Sequence, residues 1–188
     1  MKDGHGGVVL GSECSGGIRN VFVEDCVMDS ENLDRALRFK NNAVRGGVLE
    51  NVFLRNVRVG SVSEAVLTVD FLYEEGAAGP FQPVVRNVQL ERVTSEASPR
   101  ILFIRGLPGA VIDGLRLTDC TFNGVSETEV VQHAGTITFS NVSVTPAKAG
   151  KLIHDATRTT TGAPLRVGRR YWQGEVAHID RFGNLITN

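Results

Sequence analysis

The chain has 188 residues, enough for one domain with a core of its own. Twenty basic residues against 21 acidic ones leave a formal charge of −1, so neither nucleic acid nor an anionic membrane is an expected partner. No run of 18 apolar residues marks a membrane span. The N-terminus also lacks the charged-then-apolar layout of a signal peptide, so localisation is left open.

In chain order, the first stretch is polar and glycine-rich: Gly4-His5-Gly6-Gly7 runs into Val8-Val9-Leu10 and then Gly11-Ser12-Glu13. Next comes Ile18-Arg19-Asn20-Val21-Phe22-Val23, whose pattern returns in Leu49-Glu50-Asn51-Val52-Phe53-Leu54. It returns again in Val85-Arg86-Asn87-Val88-Gln89-Leu90 and Ile112-Asp113-Gly114-Leu115-Arg116-Leu117, with a frayed copy at Phe139-Ser140-Asn141-Val142. The copies start 31, 36 and 27 residues apart (18 to 49, 49 to 85, 85 to 112). Period-2 alternation within each copy marks half-buried strands. A second strand family lies between the copies: Val8-Val9-Leu10, Ala36-Leu37-Arg38-Phe39, Val66-Leu67-Thr68-Val69 and Ile101-Leu102-Phe103-Ile104.

Repeats of that size, with two or three short strands each and no helical period, predict an all-β parallel β-helix over residues 1–145. A sandwich would need frequent hairpin turns. Asn-Gly occurs only at Asn123-Gly124, and Asp-Gly only at Asp3-Gly4 and Asp113-Gly114. Asn20, Asn51 and Asn87 share one repeat position, so an inward amide ladder from rung to rung is expected. Cys14, Cys26 and Cys120 have no ligand spacing and are expected as small core hydrophobes, with no metal or cofactor. Residues 146–170 read as a linker or cap, and 171–188 as a hairpin able to cover the open end of a solenoid.

In such a stack, residues on neighbouring rungs share a groove. His5 and Arg38, 33 residues apart, are expected on adjacent coils. Arg38 and Lys40 alternate with Phe39, so both cations should face outward while Phe39 enters the core. Two adjacent cations call for an anionic neighbour, and a carboxylated polymer would provide it. Ordinary surface cations and an exposed turn histidine are the competing reading.

Gly4-His5-Gly6, the following Gly-Ser-Glu-x-Ser-Gly-Gly, Leu37-Arg38-Phe39-Lys40 and Arg45-Gly46-Gly47-Val48 together resemble the C-terminal half of the polygalacturonases (glycoside hydrolase family 28), the bacterial exo-acting branch most. The resemblance implies a right-handed parallel β-helix that hydrolyses the α-1,4-galacturonan of pectin with inversion. It further implies that His5 stands at the cleavage subsite and that Arg38 and Lys40 bind a galacturonate carboxylate. Tyr73 would line the neighbouring subsite, with Glu13 and Ser15 as further groove candidates. The family's catalytic aspartates lie ahead of Gly-His-Gly, in an Asn-Thr-Asp segment and an Asp-Asp pair, and neither motif occurs in this sequence. Asp3 is the only carboxylate before His5. The expectation is therefore a β-helix truncated at its N-terminal end, inactive alone, with association through the first coil. A non-catalytic, acidic-polysaccharide-binding β-helix is the alternative.

The tail from Gly174 to Asn188 does not continue the repeat. It is similar to a segment of the S-adenosylmethionine hydroxide adenosyltransferase family, in which positions matching Asp180, Phe182 and Asn184 line the nucleoside site. That resemblance implies a remote third possibility, an S-adenosylmethionine-related activity.

Overall fold

A computed structural model describes residues 2–147 and, beyond them, the backbone of four short strands. Three strands recur per coil. The first series is β1 (Val8–Leu10), β4 (Arg35–Lys40), β7 (Ala65–Asp70), β10 (Arg100–Arg105) and β13 (Val130–Gln132). The second is β2 (Ile18–Glu24), β5 (Val48–Arg55), β8 (Val84–Glu91), β11 (Val111–Thr118) and β14 (Ile137–Ser140). The third, which the sequence did not single out, is β3 (Val27–Met28), β6 (Arg58–Ser61), β9 (Thr94–Ala97), β12 (Thr121–Val125) and β15 (Ser143–Pro146). Each series forms its own five-stranded sheet, in coil order, with every pair parallel. Three parallel sheets wound in sequence make a parallel β-helix. β16 (Leu165–Arg166) pairs with β17 (Trp172–Gln173), and β18 (Val176–Ile179) with β19 (Leu185–Thr187), both antiparallel. The remainder of the proposed linker, and Asp180, Phe182 and Asn184, lie outside the described residues.

For its first four copies the repeat read from sequence is the physical register. The frayed fifth is not, because Phe139 pairs with Leu117 and not with Ile112, and Asn141 falls on the corner beside Asp119. Ile18 pairs with Leu49, Leu49 with Val85, and Val85 with Ile112. Because side chains alternate between faces, that register stacks like on like inside the coil. Val52, Val88 and Leu115 form one inward row, and Leu54, Leu90 and Leu117 the next; all six are at most 1% exposed. Opposite them, Leu37 stacks on Leu67 and Phe39 on Val69. Each fully buried Leu or Phe contributes about 1.5–3 kcal/mol, so the core is one continuous column. Cys14 and Cys120 belong to it at 1% exposure, and burial raises both thiols above their ordinary pKa.

The asparagine ladder forms, but not inward. Asn51 donates to Asn20 (3.1 Å) and Asn87 to Asn51 (2.7 Å) at positions that are exposed or half-buried. The reason is local. These residues have φ of 59°, 56° and 52°, a left-handed kink within the strand that turns the amide away from the core. A second ladder occupies the corner after each second-series strand. Asp25, Asn56, Arg92, Asp119 and Asn141 all have φ between 51° and 55°. Asn56 donates to Asp25 (3.1 Å), Arg92 to Asn56 (2.6 Å) and Asn141 to Asp119 (2.6 Å).

Candidate functional site

The outward face of the first sheet carries the site. Val9, Arg38, Thr68 and Phe103 stand in one row. Lys40, Asp70, Arg105 and Gln132 stand in the next. As expected, Phe39 is fully buried between two half-buried cations. The glycines of the first coil let backbone approach this strand closely. A Cβ on Gly7 would collide with the Met28 sulfur, and one on Gly11 (φ 101°) with the Lys40 carbonyl.

Tyr73 lies across both cations, its ring centroid 4.7 Å from Lys40 Nζ and 5.6 Å from Arg38 Cζ. The loop that carries it, between β7 and β8, is moored by a fully buried asparagine on the far side of Lys40. Asn42 Nδ2 donates to the Tyr73 carbonyl (3.0 Å) and to the Glu75 carboxylate (2.7 Å), while its Oδ1 accepts from the Val44 and Arg45 amides (3.0 and 2.9 Å). The Tyr73 phenol is held above its ordinary pKa, first by a hydrogen bond to Glu74 and then by desolvation and the charge of Glu74; Arg38 opposes the shift.

Among the described residues, neither Arg38 nor Lys40 has a carboxylate within ion-pair distance. The carboxylate in register with Lys40 is already engaged. Asp70, 5% exposed, accepts from Arg105 Nη2 at 2.6 Å and Nε at 3.1 Å, a two-point pairing. Arg38 Nε and the Thr68 hydroxyl, in one row of the sheet, are buried without hydrogen-bond partners, as are Arg35 Nε and Arg45 Nε. Arg35 and Arg45 each have a carboxylate partner, whereas Arg38 has none among the described residues.

His5 does not register with Arg38. Gly4 bridges to Leu33 and the Gly7 amide donates to the Arg35 carbonyl (2.9 Å), which places His5 opposite Asp34, 29 residues on. Arg38 pairs with Val9 instead. The two still meet, because Arg38 Nη1 reaches back to the His5 carbonyl at 3.4 Å. The imidazole Nδ1 lies 2.9 Å from Asp34 Oδ2. Asp34 in turn lies 3.5 Å from Arg35 Nη1, and Arg35 is also paired with Glu64. Burial and the neighbouring Arg38 charge lower the Arg35 pKa, and Glu64 and Asp34 oppose that shift.

Glu13 stands apart from this cluster: its carboxylate pairs with Arg45 at 2.8 Å. Asp3 accepts from Ser30 (2.7 Å). No group of three or more metal-ligating side chains occurs among the described residues.

Solved structures share this architecture. The hyperthermoactive exopolygalacturonase of Thermotoga maritima superposes with a TM-score of 0.70 at 32% identity, over 75% of this chain and 31% of that one. The fold is polygalacturonase-like. The family 28 exopolygalacturonase of Yersinia enterocolitica gives a TM-score of 0.67 at 22% identity, over 80% of this chain and 27% of that one. The chain thus spans less than a third of the length of either polygalacturonase. No protein-family model matches the sequence, and no curated protein does.

Proposed function

We propose that these coils grip galacturonan, as the sugar-binding C-terminal part of a pectin-degrading, inverting polygalacturonase. The observation that carries the reading is the pair Arg38 and Lys40, side by side, with no carboxylate partner among the described residues, and roofed by Tyr73. Arg38 offers a planar fork and Lys40 a point charge, which together suit the carboxylate of a uronic acid. The Tyr73 ring offers an apolar face to the sugar, and His5, one turn away, a polar one.

Inverting hydrolysis needs a protonated acid and a carboxylate base about 6.5–9.5 Å apart. The carboxylates nearest His5 have other partners: Asp34 pairs with His5 and Arg35, and Asp3 holds Ser30. We therefore read the 188-residue chain as binding acidic polysaccharide without cleaving it. Isothermal titration with oligogalacturonate should show binding that weakens with salt, while reducing-sugar release from polygalacturonate stays at background. Cleavage by the isolated chain would overturn the second half of the proposal, and no binding at low salt the first.

A non-catalytic acidic-polysaccharide-binding β-helix is favoured by the same engaged carboxylates. Adding the acid–base aspartates in a preceding segment discriminates the two, since only a hydrolase would gain turnover. Among the described residues β1 and β2 each have a strand neighbour on one side only, and Phe22 is 58% exposed. Self-association through that edge is the expected behaviour of the isolated chain, and sedimentation would detect it.

A further inference from the structure

We infer that Asp34 is the positioning residue for His5: its carboxylate fixes which imidazole nitrogen carries the proton, and so leaves the other free to accept a hydrogen bond from a bound sugar. The inference rests on the galacturonan reading for its ligand, but its geometry stands by itself. The His5 side chain is 87% exposed, so packing does little to set its orientation. Its backbone, by contrast, is pinned: Gly4 donates to the Asn32 carbonyl (3.0 Å) and accepts from the Asp34 amide (2.9 Å), and Gly7 donates to Arg35. A fixed backbone with a loose ring makes the single side-chain contact decisive. That contact is Nδ1 to Asp34 Oδ2, 2.9 Å.

An ionised carboxylate can only accept, so Nδ1 must be the donor. In the neutral ring Nε2 then holds a lone pair on a side chain that is 87% exposed, and the Arg38 guanidinium lies 3.4 Å from the backbone carbonyl of the same residue. A uronic acid held by Arg38 and Lys40 would meet an acceptor there. Asp34 is itself constrained by Arg35 Nη1 at 3.5 Å and by the Ser63 hydroxyl at 3.4 Å, and is 26% exposed, so it is an anchor and not a second loose group. An unanchored histidine in water carries its neutral proton mainly on Nε2, which is the opposite arrangement.

Asp34→Asn tests this, because an amide of the same shape can donate as well as accept and so releases the constraint. Nitrogen-15 chemical shifts of His5, assigned with His5→Gln and read near pH 8, should show the Nδ1–H form in the wild type. In Asp34→Asn they should move towards Nε2–H, with the amide spectrum otherwise unchanged. Affinity for trigalacturonate should fall by about three-fold, in keeping with the loss of one exposed hydrogen bond, and Asp34→Glu should restore part of both. A wild-type His5 in the Nε2–H form, or a tautomer indifferent to Asp34→Asn, would overturn the inference. So would a shifted tautomer with unchanged affinity. A shifted tautomer in a protein that never binds trigalacturonate would instead overturn the galacturonan reading and leave the pairing in place.

Discussion

The outer faces of the first and second sheets are built from the same rungs and solve the problem of charge in opposite ways. On the second sheet, charges of alternating sign stack along the solenoid. Glu24, Arg55 and Glu91 share one row, and Glu50 and Arg86 another. Arg55 lies 3.2 Å from Glu24 and 3.4 Å from Glu91, and Arg86 lies 2.7 Å from Glu50. Phe22 and Phe53 stack at 5.1 Å beside them. Those five charges satisfy one another. On the first sheet, Arg38 and Lys40 have no counter-ion among the described residues and lie under an aromatic ring, and the Thr68 hydroxyl is buried with no partner among them. Where the stack could neutralise itself and does not, a ligand is the economical physical explanation.

Four substitutions or conditions sharpen that contrast. The largest effect is expected from Arg38→Ala, which removes charge-assisted hydrogen bonds worth about 1.5–3 kcal/mol. Oligogalacturonate affinity should drop by more than ten-fold while thermal stability is nearly unchanged. Asn56→Ala on the corner ladder should do the reverse. It forces an ordinary side chain into the left-handed region at about 1–2 kcal/mol of stability, measurable by urea unfolding, and leaves binding intact; Asn56→Gly should recover part of the loss.

Third, Tyr73→Ala should weaken binding by about 1 kcal/mol through loss of the ring over both cations, whereas Tyr73→Phe should retain most of it. Arg86→Ala, which breaks the ladder pair with Glu50, should change stability by no more than about 1 kcal/mol and binding not at all.

The edge of the first sheet adds a pH dependence. Glu129 accepts the amides of Ile101 and Leu102, yet burial outweighs those bonds and raises its pKa from 4.5 to about 7. The folded state therefore holds the proton more tightly than the unfolded state. Stability from this group is greatest below about pH 4.5 and is lost as pH rises through about 7. Chemical denaturation across that window should show the decline, and Glu129→Gln should flatten it.

The register of the second sheet was legible over four rungs because apolar-x-Asn-apolar marks three of them and Gly114 replaces the asparagine on the fourth; on the fifth, Asn141 mimics the pattern but belongs to the corner. The third series was not, because strands as short as Val27–Met28 carry no period. His5 and Arg38 do fall on adjacent coils, but the partner opposite His5 is Asp34, four residues before Arg38, for a related reason. Gly4-His5-Gly6-Gly7 has no apolar marker, so only the hydrogen bonds of Gly4 and Gly7 fix it opposite Asp34. Asp34 itself precedes the alternating segment and gave no signal. The corner ladder was hidden by Arg92, which fills a position that Asp and Asn occupy in the other coils. Arg38, Lys40 and Tyr73 could be named from motifs, but the loop that brings Tyr73 over the pair depends on Asn42, whose role needs the folded path.

The most direct test is a crystal structure of the chain with bound trigalacturonate. The account predicts a carboxylate within hydrogen-bond distance of both Arg38 and Lys40, with a sugar ring against Tyr73 and a hydroxyl near His5 Nε2. A ligand seated on the charge ladders of the second sheet, with Arg38 and Lys40 left bare, would contradict it.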